Sequence, residues 1–174
     1  GWYSTVSGFE NVASVANSVA LGYKNQSSGL VSIAIGDNTI ASGDRSFSAG
    51  HLSKAYGNVS TALGASEATG DYSTAMGWLT NATGTTSTAM GVDTTASGND
   101  STSMGNTTTA SGQSSTSMGS GTQASGSAST AMGQGSVASG DFSTAMGINT
   151  LSNGQGSTSM GSSTVASGLD STAM

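Results

Sequence analysis

The chain has 174 residues, of which Ser, Gly, Thr and Ala make up 109 and Leu, Ile, Val and Phe only 23. So little large apolar side-chain volume excludes an ordinary globular core with an enzyme cleft. The net charge is −6, with no Cys, one His and no Lys or Arg after Lys54. This composition excludes a disulfide scaffold, a thiolate metal site and a partner nucleic acid bound through its phosphates.

Short segments of Thr, Val and small residues, bounded by Gly with Asn or Asp, follow one another along the whole chain. Residues 1–72 hold repeats of the Val/Ile/Leu type, and residues 73–174 hold repeats of the Ser-Thr-Ala-Met type. Each repeat has two halves of seven residues, such as Gly84–Met90 and Gly91–Ser97. Each half has room for one short strand and one tight turn but not for a helix. The sequence therefore predicts an all-β fold, a parallel β-solenoid of about 12 small coils over residues 1–174.

The spacing of the repeat is 14 residues. All eight Met residues keep this spacing, from Met76 to Met174. The step from Leu63 to Met76 is 13, so one residue is missing within residues 65–69. We expect a single repeat array, part of a longer fibre, with one perturbed turn at the shortened repeat.

Alternation along the strands predicts which side chains lie inside the coil. A second-strand column that holds Lys54 and Glu67 must face water, so the neighbouring Ala column, with Ala55 and Ala68, points inward. The first strand has an Ala/Ser column of its own. An alternative remains open at this point, in which Met fills the coil and Ala faces outward.

If Ala points inward, a column of large apolar side chains points outward from the first strand. Each such side chain would gain roughly 1.5–3 kcal/mol from burial, so we predict that several chains associate through this ladder. The predicted interface ladder consists of Leu21, Ile35, Leu63, Met76, Met90, Met104, Met118, Met132, Met146, Met160 and Met174.

Two segments resemble the head repeats of trimeric autotransporter adhesins, the YadA-like head. They are residues 17–22 (Asn-Ser-Val-Ala-Leu-Gly) and residues 32–43 (Ser-Ile-Ala-Ile-Gly-Asp-Asn-Thr-Ile-Ala-Ser-Gly). The resemblance extends over essentially the whole chain and implies a left-handed parallel β-roll, a homotrimer about a common axis and display on a bacterial surface. From Ser73 onward the sequence departs from the family pattern, because Thr and Met replace Val and Ile. Related repeats also occur in fibres of phages and large viruses.

No residue set indicates catalysis, a cofactor or a metal. His51 has no second His, the Ser residues have no base, and acids such as Asp44, Asp71 and Asp141 follow Gly in turns, where Asp accepts hydrogen bonds. No run of apolar residues is long enough to insert this segment into a membrane. Chemically distinctive side chains are concentrated in the irregular first half of the chain, so we expect ligand contacts within residues 1–80. The candidate ligand contacts are Trp2, Tyr3, Tyr72 and Trp78.

These observations favour a non-catalytic extracellular adhesin or fibre head that attaches to an unknown host, matrix or cell-surface ligand. One alternative is the distal fibre of a phage or virus, used in host recognition. A second alternative is an ice-binding solenoid, because regular Thr columns could form a flat array. Self-association separates only the ice-binding alternative from the other two, since an ice-binding protein would expose its Thr face as a monomer. The flanking gene region would separate an adhesin from a phage or viral fibre, because a downstream stalk and membrane anchor mark the autotransporter.

Overall fold

The computed structural model describes all 174 residues and contains strands and turns but no helix. It confirms a parallel β-solenoid of about 12 turns. The chain divides into two compact units, Gly1–Thr86 and Ser87–Met174, which are described separately below.

The first unit contains ten strands, in which longer and shorter strands alternate until the last two. They are β1 (Thr5–Phe9), β2 (Val12–Ala13), β3 (Val19–Tyr23), β4 (Gln26–Ser27), β5 (Ile33–Asp37), β6 (Ile40–Ala41), β7 (Phe47–His51), β8 (Lys54–Ala55), β9 (Thr61–Ala68) and β10 (Thr74–Ala82).

The second unit contains thirteen strands with the same alternation. They are β11 (Thr88–Val92), β12 (Thr95–Ala96), β13 (Thr102–Asn106), β14 (Thr109–Ala110), β15 (Thr116–Ser120), β16 (Gln123–Ala124), β17 (Thr130–Gln134), β18 (Val137–Ala138), β19 (Thr144–Ile148), β20 (Leu151–Ser152), β21 (Thr158–Ser162), β22 (Val165–Ala166) and β23 (Thr172–Ala173).

Within each unit a strand pairs in parallel with the equivalent strand of the next coil. Leu21 of β3 lies opposite Ile35 of β5, and Met104 of β13 lies opposite Met118 of β15. Equivalent residues of successive repeats therefore stack, as the constant spacing predicts. Through this stacking, the backbone N–H and C=O groups of the inner strands form hydrogen bonds with the neighbouring coils. Backbone groups that are shielded from water need such partners.

The interior of each coil is made of Ala and Ser. Ala20, Ala62 and Ala89 of the first-strand column and Ala55 and Ala110 of the second-strand column are completely buried. The predicted inward Ala columns are thus confirmed, and the alternative with Met inside the coil is wrong. Two facing columns of small side chains let the two strands of a coil approach closely, so the core is thin.

Where Ser replaces Ala in the first-strand column, its hydroxyl bonds across the coil. The Oγ atoms of Ser48 and Ser53 lie 2.8 Å apart, and Ser117 Oγ lies 2.8 Å from Thr122 Oγ1. These pairs satisfy buried hydroxyls that have no access to water.

Asn25 connects three coils from inside the solenoid. Its side chain is buried, and Nδ2 donates to the carbonyl oxygens of Leu21 at 2.8 Å and Gly36 at 2.7 Å. Its Oδ1 accepts from the backbone N–H of Thr39 at 2.9 Å and from the Thr39 hydroxyl at 2.7 Å. The backbone N–H of Asn25 donates in turn to Oδ1 of Asn11 at 2.9 Å. Although Asn25 begins an Asn-x-Ser sequence, its amide is therefore unavailable for glycosylation.

We expect Asn25→Ala to destabilise the protein by about 3 kcal/mol, because it leaves buried backbone groups of two coils without partners. Asn25→Thr should cost less, since Thr39 occupies the same column in the next coil. Asn106→Ala is the control, because the Asn106 side chain is exposed. Thermal unfolding followed by circular dichroism measures the difference, and equal midpoints for the two Ala variants would contradict this account.

Each coil turns at two corners, and each corner normally contains a residue with a left-handed backbone. In the coil of β11 these residues are Asp93 (φ 53°) after the long strand, at the first corner, and Asp100 (φ 58°) after the short strand, at the second corner. The coil that contains β9 has no such residue between Ala65 and Ser66 at its first corner, where β9 turns from its pairing with β7 to its pairing with β8.

The pairing of β10 with β9 identifies the missing residue. Trp78 lies opposite Ala65 and Thr80 lies opposite Ser66, so Leu79 between them has no counterpart. Leu79 is itself a left-handed corner residue, with φ of 55°. The shortened repeat therefore lacks its first-corner residue, which refines the prediction of a perturbed turn.

Candidate functional site

The ladder of large apolar side chains lies on the outer face of the first strands. In the first unit, Leu21, Leu63 and Met76 are half-buried and Ile35 is 37% exposed. In the second unit, six ladder residues stack one above another and are half-buried: Met90, Met104, Met118, Met132, Met146 and Met160. Met174 follows β23 and is largely exposed. Each unit thus presents part of an apolar ladder on its surface.

The outer face of the second strands is mixed in character. In the first unit it carries Lys54, Glu67 and Asn81 beside Ile40, and in the second unit it carries Thr109 and Gln123 followed by the stacked apolar residues Val137, Leu151 and Val165. Because both strands of a coil point their Ala columns inward, this face lies on the opposite side of the coil from the ladder. An interface built on the ladder would leave this face open.

A cavity of about 300 Å³, which we call the corner notch, opens at the first corner of the shortened coil. Leu52 and Leu79 are the corner residues of the coils on either side, and Ala65 lies between them where a corner residue is missing. Trp78, 55% exposed, forms a further wall. The notch is lined by Leu52, Lys54, Ala65, Ser66, Glu67, Trp78, Leu79, Thr80 and Asn81.

An ion pair lies along the polar side of the corner notch. Lys54 Nζ is 3.6 Å from Glu67 Oε2, and both side chains are more than a third exposed. A pair this exposed contributes little to stability, at most about 1 kcal/mol. Its charges nevertheless compensate each other at the notch.

The four predicted ligand contacts do not form one site. Trp2 and Tyr3 are more than 80% exposed in the first turn of the chain, and Tyr72 lies in the turn before β10. Trp78 alone lines the corner notch. The sequence indicated that the shortened repeat is special, but it could not show that Leu52 and Lys54 of the preceding coil complete the cavity.

A second cluster of exposed side chains lies at the first corner of the N-terminal coils. The rings of Phe9 and Tyr23 stack at 5.4 Å with an angle of 9° between their planes. Lys24 Nζ lies 5.1 Å from the centre of the Tyr23 ring and 3.5 Å from Glu10 Oε2. A hydrogen bond to the Tyr23 side chain, together with the charges of Tyr23 and Glu10, raises the pKa of Lys24. Stacking of equivalent positions 14 residues apart could have identified this cluster.

The turn acids have structural partners. Oδ1 of Asp44 accepts from the backbone N–H of Leu30 at 2.9 Å, and Oδ1 of Asp141 accepts from that of Ser127 at 2.8 Å. The donors belong to the turn of the preceding coil rather than to the same turn. His51 Nδ1 lies 3.0 Å from Asp37 Oδ2 on the surface. No group of three or more His, Cys, Asp or Glu residues is arranged to hold a metal ion.

The structure contains no helix that is long and apolar enough to cross a membrane. A stack of 14-residue coils with Ala inside and an apolar ladder outside defines the class of small-coil parallel β-solenoids. The YadA head domain repeat matches this chain in ten segments, most of which overlap: residues 3–25, 27–51, 41–66, 60–80, 68–94, 82–108, 96–122, 110–136, 124–150 and 152–174. The chain therefore belongs to the YadA head repeat family, as the resemblance in its sequence indicates. Comparison with curated proteins finds no significant match.

Proposed function

We propose that the chain is a non-catalytic head segment of a trimeric surface adhesin, located outside the cell on the cell surface or on a fibre. Membership of the YadA head repeat family supports this proposal. In the proposed assembly, three copies associate through the ladder and present the outer faces of their second strands to a host, matrix or cell-surface ligand.

The observation that carries the proposal is the position of the ladder. Met104, Met118 and Met132 are stacked and half-buried on the surface of the second unit, although the interior of each coil is filled by Ala and Ser. A contiguous row of such side chains in a soluble chain marks an association surface. Three-fold association would bury the row along a common axis.

We propose that ligand recognition is confined to residues 1–80 and that residues 85–174 serve as a spacer. The irregular side chains at corners and turns of the first unit support this division, because function tends to lie on exposed positions held by a rigid scaffold. The strands of the second unit repeat small side chains of little chemical individuality.

Two measurements test the proposed function. Light scattering should give the mass of three chains, and beads coated with the chain should adhere to cultured cells or immobilised matrix proteins more than uncoated beads do. A folded monomer would contradict the adhesin assignment and favour the ice-binding alternative. Adhesion should fall when Trp2, Tyr3, Tyr72 and Trp78 are replaced together by Ala. Phe142→Ala should leave it unchanged, because Phe142 is an exposed left-handed corner residue like Tyr72 but lies in the proposed spacer.

A further inference from the structure

We propose that the corner notch binds a single neutral sugar ring of a surface glycan. This inference rests on the proposed attachment function and deepens it by naming a site and a ligand class. It is carried by the shape of the notch, by its lining and by its charge.

The shape of the notch follows from the missing corner residue. Leu52 and Leu79 are the corner residues of the two neighbouring coils, and the corner of β9 between them has no residue at that position and only the small side chain of Ala65 beside it. The resulting volume of about 300 Å³ lies at the lower end of the range of roughly 300–1,000 Å³ for small-ligand sites. A space bounded by one coil on each side suits one ring better than an extended peptide.

The lining of the notch matches the two sides of a sugar ring. Trp78, Leu52 and Leu79 form an apolar wall, against which the C–H face of a pyranose can pack. Lys54, Glu67 and Asn81 offer an amine, a carboxylate and an amide, which can donate to and accept from ring hydroxyls. An apolar side chain from a partner protein would fill the apolar wall but use none of these groups.

The charge of the notch excludes ionic ligands. Lys54 and Glu67 compensate each other at 3.6 Å, so neither an anion nor a cation gains a net attraction. The ion pair still has open hydrogen-bonding positions, because both side chains are more than a third exposed. A neutral ligand rich in hydroxyl groups is the class that fits these conditions.

The notch stays accessible in the proposed trimer. Its polar side belongs to the outer face of the second strands, whereas Leu63 and Met76 of the ladder lie on the opposite face of the same coils. Association through the ladder and binding at the notch are therefore compatible.

The experiment uses the two Trp residues of the chain as reporters. The full chain, labelled with ¹⁵N, is titrated with methyl glycosides of neutral hexoses and N-acetylhexosamines, and the two indole N–H signals are followed by NMR. We expect at least one of these sugars to shift the Trp78 signal in a saturable manner and to leave Trp2 unmoved. N-acetylneuraminic acid and N-acetyl-leucine amide, which represent a charged sugar and an apolar peptide side chain, should not shift it.

The matched variant restores the missing residue. Inserting one Asn between Ala65 and Ser66 rebuilds a 14-residue coil and fills the notch while keeping Trp78 as reporter. Sugar binding should weaken by roughly tenfold or more, a change of about 1.4 kcal/mol, with the thermal midpoint unchanged or raised. Trp78→Ala should abolish binding, read by saturation transfer to the sugar.

Three results would overturn the proposal. They are no shift of Trp78 with any neutral sugar, an equal shift with N-acetyl-leucine amide, and sugar binding that survives the insertion. The bead assay separates this proposal from the proposed function. Adhesion without sugar binding refutes only the notch as a glycan site, whereas sugar binding by a chain whose beads do not adhere refutes the adhesin function.

Discussion

Replacing Met104 and Met118 with Lys is expected to dissociate the assembly into single chains or to unfold it. Both side chains lie on the ladder, stacked at the same position of neighbouring coils. If three chains meet there, six ammonium groups would be placed close together away from water, which costs several kcal/mol for each unpaired charge. Size-exclusion chromatography with light scattering would show the loss of the trimer mass.

The control for this substitution is Gln123→Lys. Gln123 lies on the outer face of the second strands and is exposed, so a charge there should change the stability by no more than about 0.5 kcal/mol and leave the mass unchanged. A double Lys variant that keeps the full mass would show that the ladder is not the interface.

Gly119→Ala is expected to destabilise the protein by about 3 kcal/mol or more, whereas Gly121→Ala should cost about 1 kcal/mol. Gly119 has φ of +125°, and a methyl group on it would overlap the carbonyl oxygen of Gly133 in the next coil. Gly121 also has a positive φ, +66°, but the nearest atom that a methyl group on it would meet is the backbone nitrogen of Gly135, at 4.0 Å. Only the first substitution therefore forces two coils apart.

The pair is well matched, since the two Gly residues lie two positions apart at the same corner. Thermal unfolding by circular dichroism, with the midpoint compared at equal protein concentration, distinguishes them. Equal midpoints would mean that the coils do not approach as closely as the structure shows.

The repeat itself made most of the fold predictable. The Met spacing fixed the coil length, and the presence of Lys54 and Glu67 in one column fixed which face of the second strand meets water. Because successive side chains of a strand point to opposite faces, Ala55 and Ala68 were predicted to lie inside the coil, and they are completely buried there. These inferences succeeded because stacking repeats the same environment twelve or so times, so a column averages over many residues.

The features that the sequence did not reveal depend on single positions. A buried Asn25 and an exposed Asn106 both begin Asn-x-Ser/Thr sequences, and only the hydrogen bonds of Asn25 to neighbouring coils distinguish them. The missing residue was visible as a shorter spacing, but any of six positions in the normal repeat could have been the one lost. Backbone angles identify it as the left-handed corner residue, and the pairing of Trp78 with Ala65 places the gap.

The shortened coil also gives the chain an internal reference point. Coils of identical length and similar sequence are interchangeable, so a strand that pairs one coil too far along loses little in its local contacts. The coil of β9 breaks this translational symmetry, because β10 can pair with it only by leaving Leu79 unpaired. A slip of one coil would move that bulge against a coil that still has its corner residue. The shortened coil therefore sets the register of strand pairing on either side of it. Chains that associate in parallel would have to align their shortened coils at the same level.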